Sequence, residues 1–154
     1  MELKKAPKYY NEKIDYSMHV KLLNFLIKKG KKEMTRGIVS SSLQKISIQQ
    51  KIFSATRLLW SIFKELHSGI EVRVINKRGR QHFVPFKISY YRQTYLVTKW
   101  LLQGISLNKE RLSIKSKLSK EIASIFFKNS ESKKQKKDND AKVIQYKSNI
   151  HYRW

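Results

Sequence analysis

No cysteine occurs in the 154 residues. That excludes disulfides, thiolate zinc sites and thiol nucleophiles together, and fits an unstapled intracellular protein. Acids are also scarce. Only 11 Asp and Glu stand against 34 Lys and Arg, for a formal net charge of +23. Long apolar runs are missing, and none approaches the ~20 residues that span a bilayer. The start, Met1-Glu2-Leu3-Lys4-Lys5, carries no apolar signal segment, and Glu12 and Asp15 come too early for an acid-poor transit peptide. The expectation is a protein made where it works, or one already processed. The four histidines, His19, His67, His82 and His151, are scattered, with no i, i+4 pair. No Gly-rich phosphate loop is present, and most acids neighbour a Lys or Arg. No catalytic residue, metal ligand or cofactor is therefore expected.

What is abundant is positive charge on a chain that can still fold. Apolar residues make up 40% and aromatics 12%, too many for a disordered basic tail. At this length one domain is expected, burying roughly 68–70% of its unfolded surface. An excess of +23 repels itself in the folded state and attracts any dense polyanion. A phosphate backbone or an anionic membrane surface are the natural partners. Lys far outnumbers Arg, and Ile, Asn, Tyr and Phe are plentiful, a composition that hints at an A/T-rich genome.

Residues 1–18 lack a clear period and predict a basic N-terminal arm; residues 19–154 predict one helical domain. Val20, Leu23, Leu26 and Ile27 form a helical stripe stopped by Gly30, which puts Lys28 and Lys29 in the last turn. A second helix is expected over about 32–46, with Met34, Ile38 and Ile46 inward. Ile52, Ala55, Leu59, Ile62, Phe63 and Leu66 mark a third. The period then changes to two. Ile70, Val72 and Val74 form one strand, Val84, Phe86 and Ile88 the other, around a loop at 76–81, so a β-hairpin is expected at about 70–88. Pro85 belongs at an edge. A fourth helix is expected from about Tyr91 to Gly104, and a fifth over 116–128 with Leu118, Ile122, Ile125 and Phe126 inward. Residues 129–140 read as a loop or flexible link, followed by a weak helix to about 149. The predicted fold is mainly α: a bundle of about six helices with one projecting two-stranded β-hairpin arm.

The basic residues cluster. Arg73, Lys77, Arg78, Arg80 and Lys87 crowd the hairpin against a single acid, Glu71, and Gly79 lets the tip turn. Lys28, Lys29, Lys31, Lys32 and Arg36 gather at a helix–helix corner with Glu33 alone interleaved. Lys133, Lys134, Lys136 and Lys137 form a third run. Arg92 opens the fourth helix beside Tyr90, Tyr91 and Tyr95, where aromatics could stack on unpaired bases, although Tyr95 and Trp100 read as packing residues. The architectural DNA-binding alternative is opposed by a tip, Lys77-Arg78-Gly79-Arg80, with no apolar wedge. A membrane surface is opposed by apolar stripes that look committed to one core.

Several of these residues occur in a recognisable order. Asn24 and a Gly30-Lys31-Lys32 helix end come first. The Glu71-Val72-Arg73 hairpin follows, with Val84-Pro85 on its return strand, then Arg92 and Lys99-Trp100, and finally His151-Tyr152-Arg153-Trp154. This resembles the universal small-subunit ribosomal proteins of the seventh family over roughly residues 19–154. The resemblance implies six helices with a β-ribbon arm. It implies binding to the 3′ major domain of small-subunit rRNA, a part in organising head assembly, and neighbouring head proteins as partners. It also implies a place near the exit site, with mRNA and exit-site tRNA as further partners, and no membrane. By that likeness Lys31, Lys32, Arg73, Gly79 and Arg92 match the family's basic corner, ribbon and fourth helix. Lys28, Lys29, Arg36, Lys77, Arg78, Arg80, Lys134, Lys136, Lys137 and Arg153 complete the expected RNA-binding set. The family usually has paired Arg and then paired Gly in the ribbon; here Ile75-Asn76 hold the Arg positions and only Gly79 remains of the glycines. Lys77, Arg78 and Arg80 carry the charge instead. With the A/T-like composition, this drift suggests an organellar member in a mitochondrial ribosome, with plastid ribosomes and bacterial cytoplasm as alternatives.

Overall fold

The computed structural model describes residues 18–50, 54–127 and 129–153. The expected N-terminal arm and the inward position of Ile52 fall outside them. Helix α1 covers residues 18–26 and buries Met18, Leu22 and Leu23. It stops earlier than its stripe suggests, because Lys29 and Gly30 both adopt positive φ, 51° and 73°. Lys28 and Lys29 therefore lie in a turn beyond the helix and not in its last turn.

Helix α2 (Lys32–Gln49) turns Thr35, Val39, Ser42, Leu43 and Ile46 inward. Met34 is 61% exposed, contrary to expectation, since it sits one position off this stripe, beside the buried Thr35. Helix α3 (Ala55–Leu66) has the cleanest amphipathic pattern and buries Leu58, Leu59, Ile62, Phe63 and Leu66; Ala55 is exposed. Strands β1 (Ile70–Lys77) and β2 (Arg80–Lys87) pair antiparallel, in register from Ile70↔Lys87 to Lys77↔Arg80. The expected loop at 76–81 contracts to two residues. On the ribbon, Ile70 and Val74 are exposed, while Val84 and Pro85 are buried.

Helix α4 (Tyr90–Leu107) runs through Gly104, which is buried inside it and does not end it. A Cβ there would lie 2.5 Å from Glu121 Oε1 and 2.8 Å from Ser132 Oγ, so the glycine makes room for a neighbour. Helix α5 (Ile114–Phe126) is capped by Ser113, whose Oγ accepts from Ser116 N; it buries Leu118, Ile122 and Ile125, with Phe126 half-buried. Residues expected to be a flexible link instead open helix α6 (Glu131–Gln145). The Ser130 hydroxyl accepts from Lys133 N at 3.2 Å and starts it. Its apolar signal is absent because α6 docks through polar groups, with Ser132 its one buried residue. A 3-10 helix, Lys147–Arg153, closes the described chain.

The core joins Met18 and Leu22 of α1, Leu43 and Ile46 of α2, Leu58, Ile62 and Leu66 of α3, Val97 and Leu101 of α4, and Leu118, Ile122 and Ile125 of α5. The architecture is the expected mainly-α bundle with one β-hairpin. No helix among the described residues is long and apolar enough to cross a membrane.

Candidate nucleic-acid interface

The corner cluster and the ribbon-tip cluster are built on the same four-residue pattern. At the corner, Lys28-Lys29-Gly30-Lys31 closes with Lys31 N donating to Lys28 O at 3.2 Å. At the ribbon tip, Lys77-Arg78-Gly79-Arg80 joins β1 to β2. The central pairs share one conformation: φ is 51° and 73° at Lys29 and Gly30, and 51° and 75° at Arg78 and Gly79. Positive φ at both central positions is the requirement of a type I′ turn, where Asn-Gly is the usual sequence. A long cation at the first central position is disfavoured by about 1 kcal/mol relative to glycine. Each turn therefore places a charge where conformation alone would choose another residue.

Lys28, Lys29, Lys31, Lys32, Arg78 and Arg80 are exposed, and no carboxylate among the described residues pairs with any of them. Most acids among the described residues are absorbed by other partners. Glu33 holds Arg36 at 3.1 Å, Glu110 holds Lys120 at 2.5 Å, Glu65 holds Lys133 at 2.6 Å, and Glu131 holds Lys134 at 2.5 Å. Asp140 accepts from Ser68 Oγ at 3.1 Å. Glu121 is buried and accepts from Ser132 N at 3.1 Å and Ser132 Oγ at 2.5 Å. Absorbing the acids locally leaves the corner and the tip as sources of unbalanced positive field.

The structure separates the expected RNA-binding residues into two groups. Lys28, Lys29, Lys31, Lys32, Lys77, Arg78, Gly79, Arg80 and Lys137 are exposed on the surface, as is Arg73, whose Nη2 also stands 3.7 Å from Glu71 Oε2. Arg92 instead donates to Glu71 through two hydrogen bonds, Nε to Oε2 at 3.0 Å and Nη2 to Oε1 at 2.6 Å. The Arg92 hydrogen bond holds the Glu71 carboxyl below its ordinary value, and Glu71 in turn raises Arg92. Arg36 pairs with Glu33 and helps burial keep His19 below its usual range. Lys134 is raised by its hydrogen bond to Glu131. Lys136 Nζ donates to Glu65 O at 2.8 Å. Arg153 donates through Nε to Pro85 O at 2.7 Å, with its guanidinium 5.6 Å from the Phe86 ring centroid.

Arg153 belongs to a strap that the sequence reading did not assign. The 3-10 helix lies along β2, with Asn149 Nδ2 donating to Phe83 O at 3.0 Å. Tyr146 stacks on Phe83 at 4.9 Å between centroids, and Tyr152 stacks on His82 at 4.2 Å. Lys77 Nζ stands 5.8 Å from the Tyr152 ring centroid. The arm is thus braced from its base nearly to its tip. The terminal His-Tyr-Arg-Trp motif drew attention to these residues, but nothing in its spacing shows that they reach a strand about 70 positions upstream. At the base, Asn139 Nδ2 donates to Ile70 O at 3.0 Å, fixing α6 to β1.

Among the described residues no cluster of His, Cys, Asp or Glu could hold a metal ion. The arrangement is an electrostatic surface: two cationic turns on rigid supports, suited to phosphate contacts that position a protein without reading bases.

Comparison with known proteins agrees with this geometry. The chain is similar to the small ribosomal subunit protein uS7 of Pelobacter propionicus, 25% identical over 148 residues, covering 96% of this chain and 90% of the relative. The uS7 protein of Phytoplasma australiense is 28% identical over 149 residues, covering 94% and 89%. The uS7m protein of Drosophila melanogaster is 24% identical over 147 residues, covering 87% and 67%. The family described as Ribosomal protein S7p/S5e matches residues 1–143, a span that takes in the N-terminal segment and stops eleven residues before Trp154. With the cationic corner, the ribbon arm and helices α1 to α5 all inside that match, the chain belongs to the ribosomal protein S7p/S5e family.

Proposed function

We propose that this protein is a non-enzymatic structural constituent of the small ribosomal subunit. It binds the 3′ major domain of small-subunit rRNA, organises assembly of the head beside neighbouring head proteins, and lies near the exit site, where its arm approaches mRNA and departing tRNA. One observation carries the reading: two cation-Gly-cation turns whose Lys29, Lys31, Arg78 and Arg80 heads pair with no carboxylate among the described residues, while most described acids are spent on other partners. RNA helices are recognised mainly by shape and backbone, which suits rigidly spaced charges. The ribbon's departures from the family pattern and the A/T-like composition support an organellar, mitochondrial ribosome.

Ultraviolet crosslinking in cells, followed by sequencing of the attached nucleic acid, tests the proposal. Enrichment of 3′ major domain rRNA is the expected result. Enrichment of genomic DNA would favour the architectural DNA-binding alternative, and co-sedimentation identifies which ribosome carries the protein.

A further inference from the structure

Helices α1 and α4 lie side by side and touch at two rungs. Lys21 and Phe25 stand one turn apart on α1, and Tyr91 and Tyr95 one turn apart on α4. At the first rung Lys21 Nζ sits 3.5 Å from the Tyr91 ring centroid and donates to the Tyr91 carbonyl at 2.6 Å. At the second, the Phe25 and Tyr95 rings lie 5.4 Å apart, with the Arg92 guanidinium 4.7 Å from the Tyr95 centroid. Tyr95 is half-buried and packs as expected. Tyr91 stands clear, 71% exposed, with Phe25 42% exposed nearby.

An exposed tyrosine is ordinary in itself. This one has its ring held in place from one side by an ammonium, in a cation–π contact, so little side-chain freedom remains to be lost on binding. Its surroundings are one-signed: neither residues 18–26 nor Tyr90–Leu107 include an acid, and Glu71 is already neutralised by Arg92. Burial pulls the Lys21 ammonium below its usual range, and a nearby anion would offset that. Flat apolar rings in a positive field match a ligand with flat bases and phosphates.

We propose that this α1–α4 seam is a stacking site for an unpaired base of the RNA the protein binds, with Tyr91 as the stacking ring, Phe25 beside it, and Lys21 supplying the charge for a flanking phosphate. The inference rests on the RNA-binding reading and adds to it a single-stranded ligand at a site distinct from the two turns.

The full chain is titrated with a single-stranded RNA oligonucleotide containing 2-aminopurine and with a blunt RNA duplex of equal length. Tyr91→Leu weakens the single strand about tenfold, abolishes quenching of the 2-aminopurine, and leaves duplex affinity and melting temperature unchanged. Tyr91→Phe binds like the parent. A photocrosslinker at position 91 in assembled particles attaches to RNA. Parent-like binding of the single strand by Tyr91→Leu, an equal loss on both probes, or a crosslink to protein overturns the site. If the parent binds neither probe, the RNA-binding reading itself fails; if it binds both and Tyr91→Leu matches it, only the stacking site fails.

Discussion

Glu71, the one acid of the ribbon, grips Arg92 at the start of α4 through two hydrogen bonds of 3.0 and 2.6 Å. The pair joins the base of the arm to the helical bundle, with the Glu71 side chain 15% exposed and that of Arg92 40%. Glu71→Gln keeps one acceptor and loses the charge. Partial exposure screens the loss, so a destabilisation of about 1 kcal/mol is expected. The folded-state carboxyl titrates below its ordinary value. Its contribution is therefore complete above the ordinary carboxylate range, about pH 4.3, and is lost as pH falls through the lower folded-state value. Thermal melts of parent and variant should differ at neutral pH and converge in acid. A gap that widened in acid would contradict the pairing.

Gly104 faces the carboxylate of Glu121, and a methyl there would lie 2.5 Å from Oε1. Glycine to alanine inside a helix ordinarily stabilises by about 1 kcal/mol. Here the overpacking and the displaced Glu121–Ser132 hydrogen bond should win, for a net loss of about 1–3 kcal/mol. Urea denaturation of Gly104→Ala checks this. In a Ser132→Ala background the penalty should shrink, because one of the crowded atoms is gone.

The same contact explains where the sequence could be read and where it could not. Residues such as Leu59, Ile62, Phe63, Leu118 and Ile122 announce their helices because burying a stripe of apolar atoms leaves a period of 3.6. Helix α6 leaves no such trace. It docks by Ser132 on Glu121, Lys133 on Glu65 and Asn139 on Ile70 O, polar contacts that composition cannot distinguish from a solvated loop. Gly104 shows the converse error, since a glycine that admits a neighbour resembles one that ends a helix. At the interface, the cationic clusters were visible as runs of one sign. The pairing of Arg92 with Glu71, and of Arg153 with Pro85 O, depends on contacts 21 and 68 positions apart, which no local pattern encodes.

The strap supplies a mechanical prediction. Asn149 and Arg153 bind the carbonyls of Phe83 and Pro85, so Asn149→Ala with Arg153→Ala should free β2 while leaving the helical core intact. Each lost hydrogen bond is worth about 1 kcal/mol. Amide hydrogen exchange should accelerate in residues 80–87 and stay unchanged around Leu101 and Ile122. Uniform acceleration would mean that the strap supports the whole fold.

Reversing the charge of Lys77, Arg78 and Arg80 together should weaken binding to small-subunit rRNA and barely change the melting temperature, because the tip is exposed. If each contacts a phosphate, the slope of log affinity against log salt should fall by about 2 for the three sites. Titrations across salt concentrations measure this directly. A large loss of stability with binding intact would show that the tip's charge serves the fold.

Arg78 separates the two demands on the turn. It is held at φ 51° ahead of Gly79 at 75°, where Asn is better accommodated and a long side chain costs about 1 kcal/mol. Arg78→Asn should therefore raise hairpin stability by up to about 1 kcal/mol while lowering RNA affinity through the missing cation. Lys29→Asn should do the same at the corner, since Lys29 and Gly30 repeat the conformation. Melts and RNA titrations of both variants should move in opposite directions. Should either variant gain stability at no cost in affinity, the cation at that position would not be engaging phosphate, and the remaining heads of that turn would carry the contact alone.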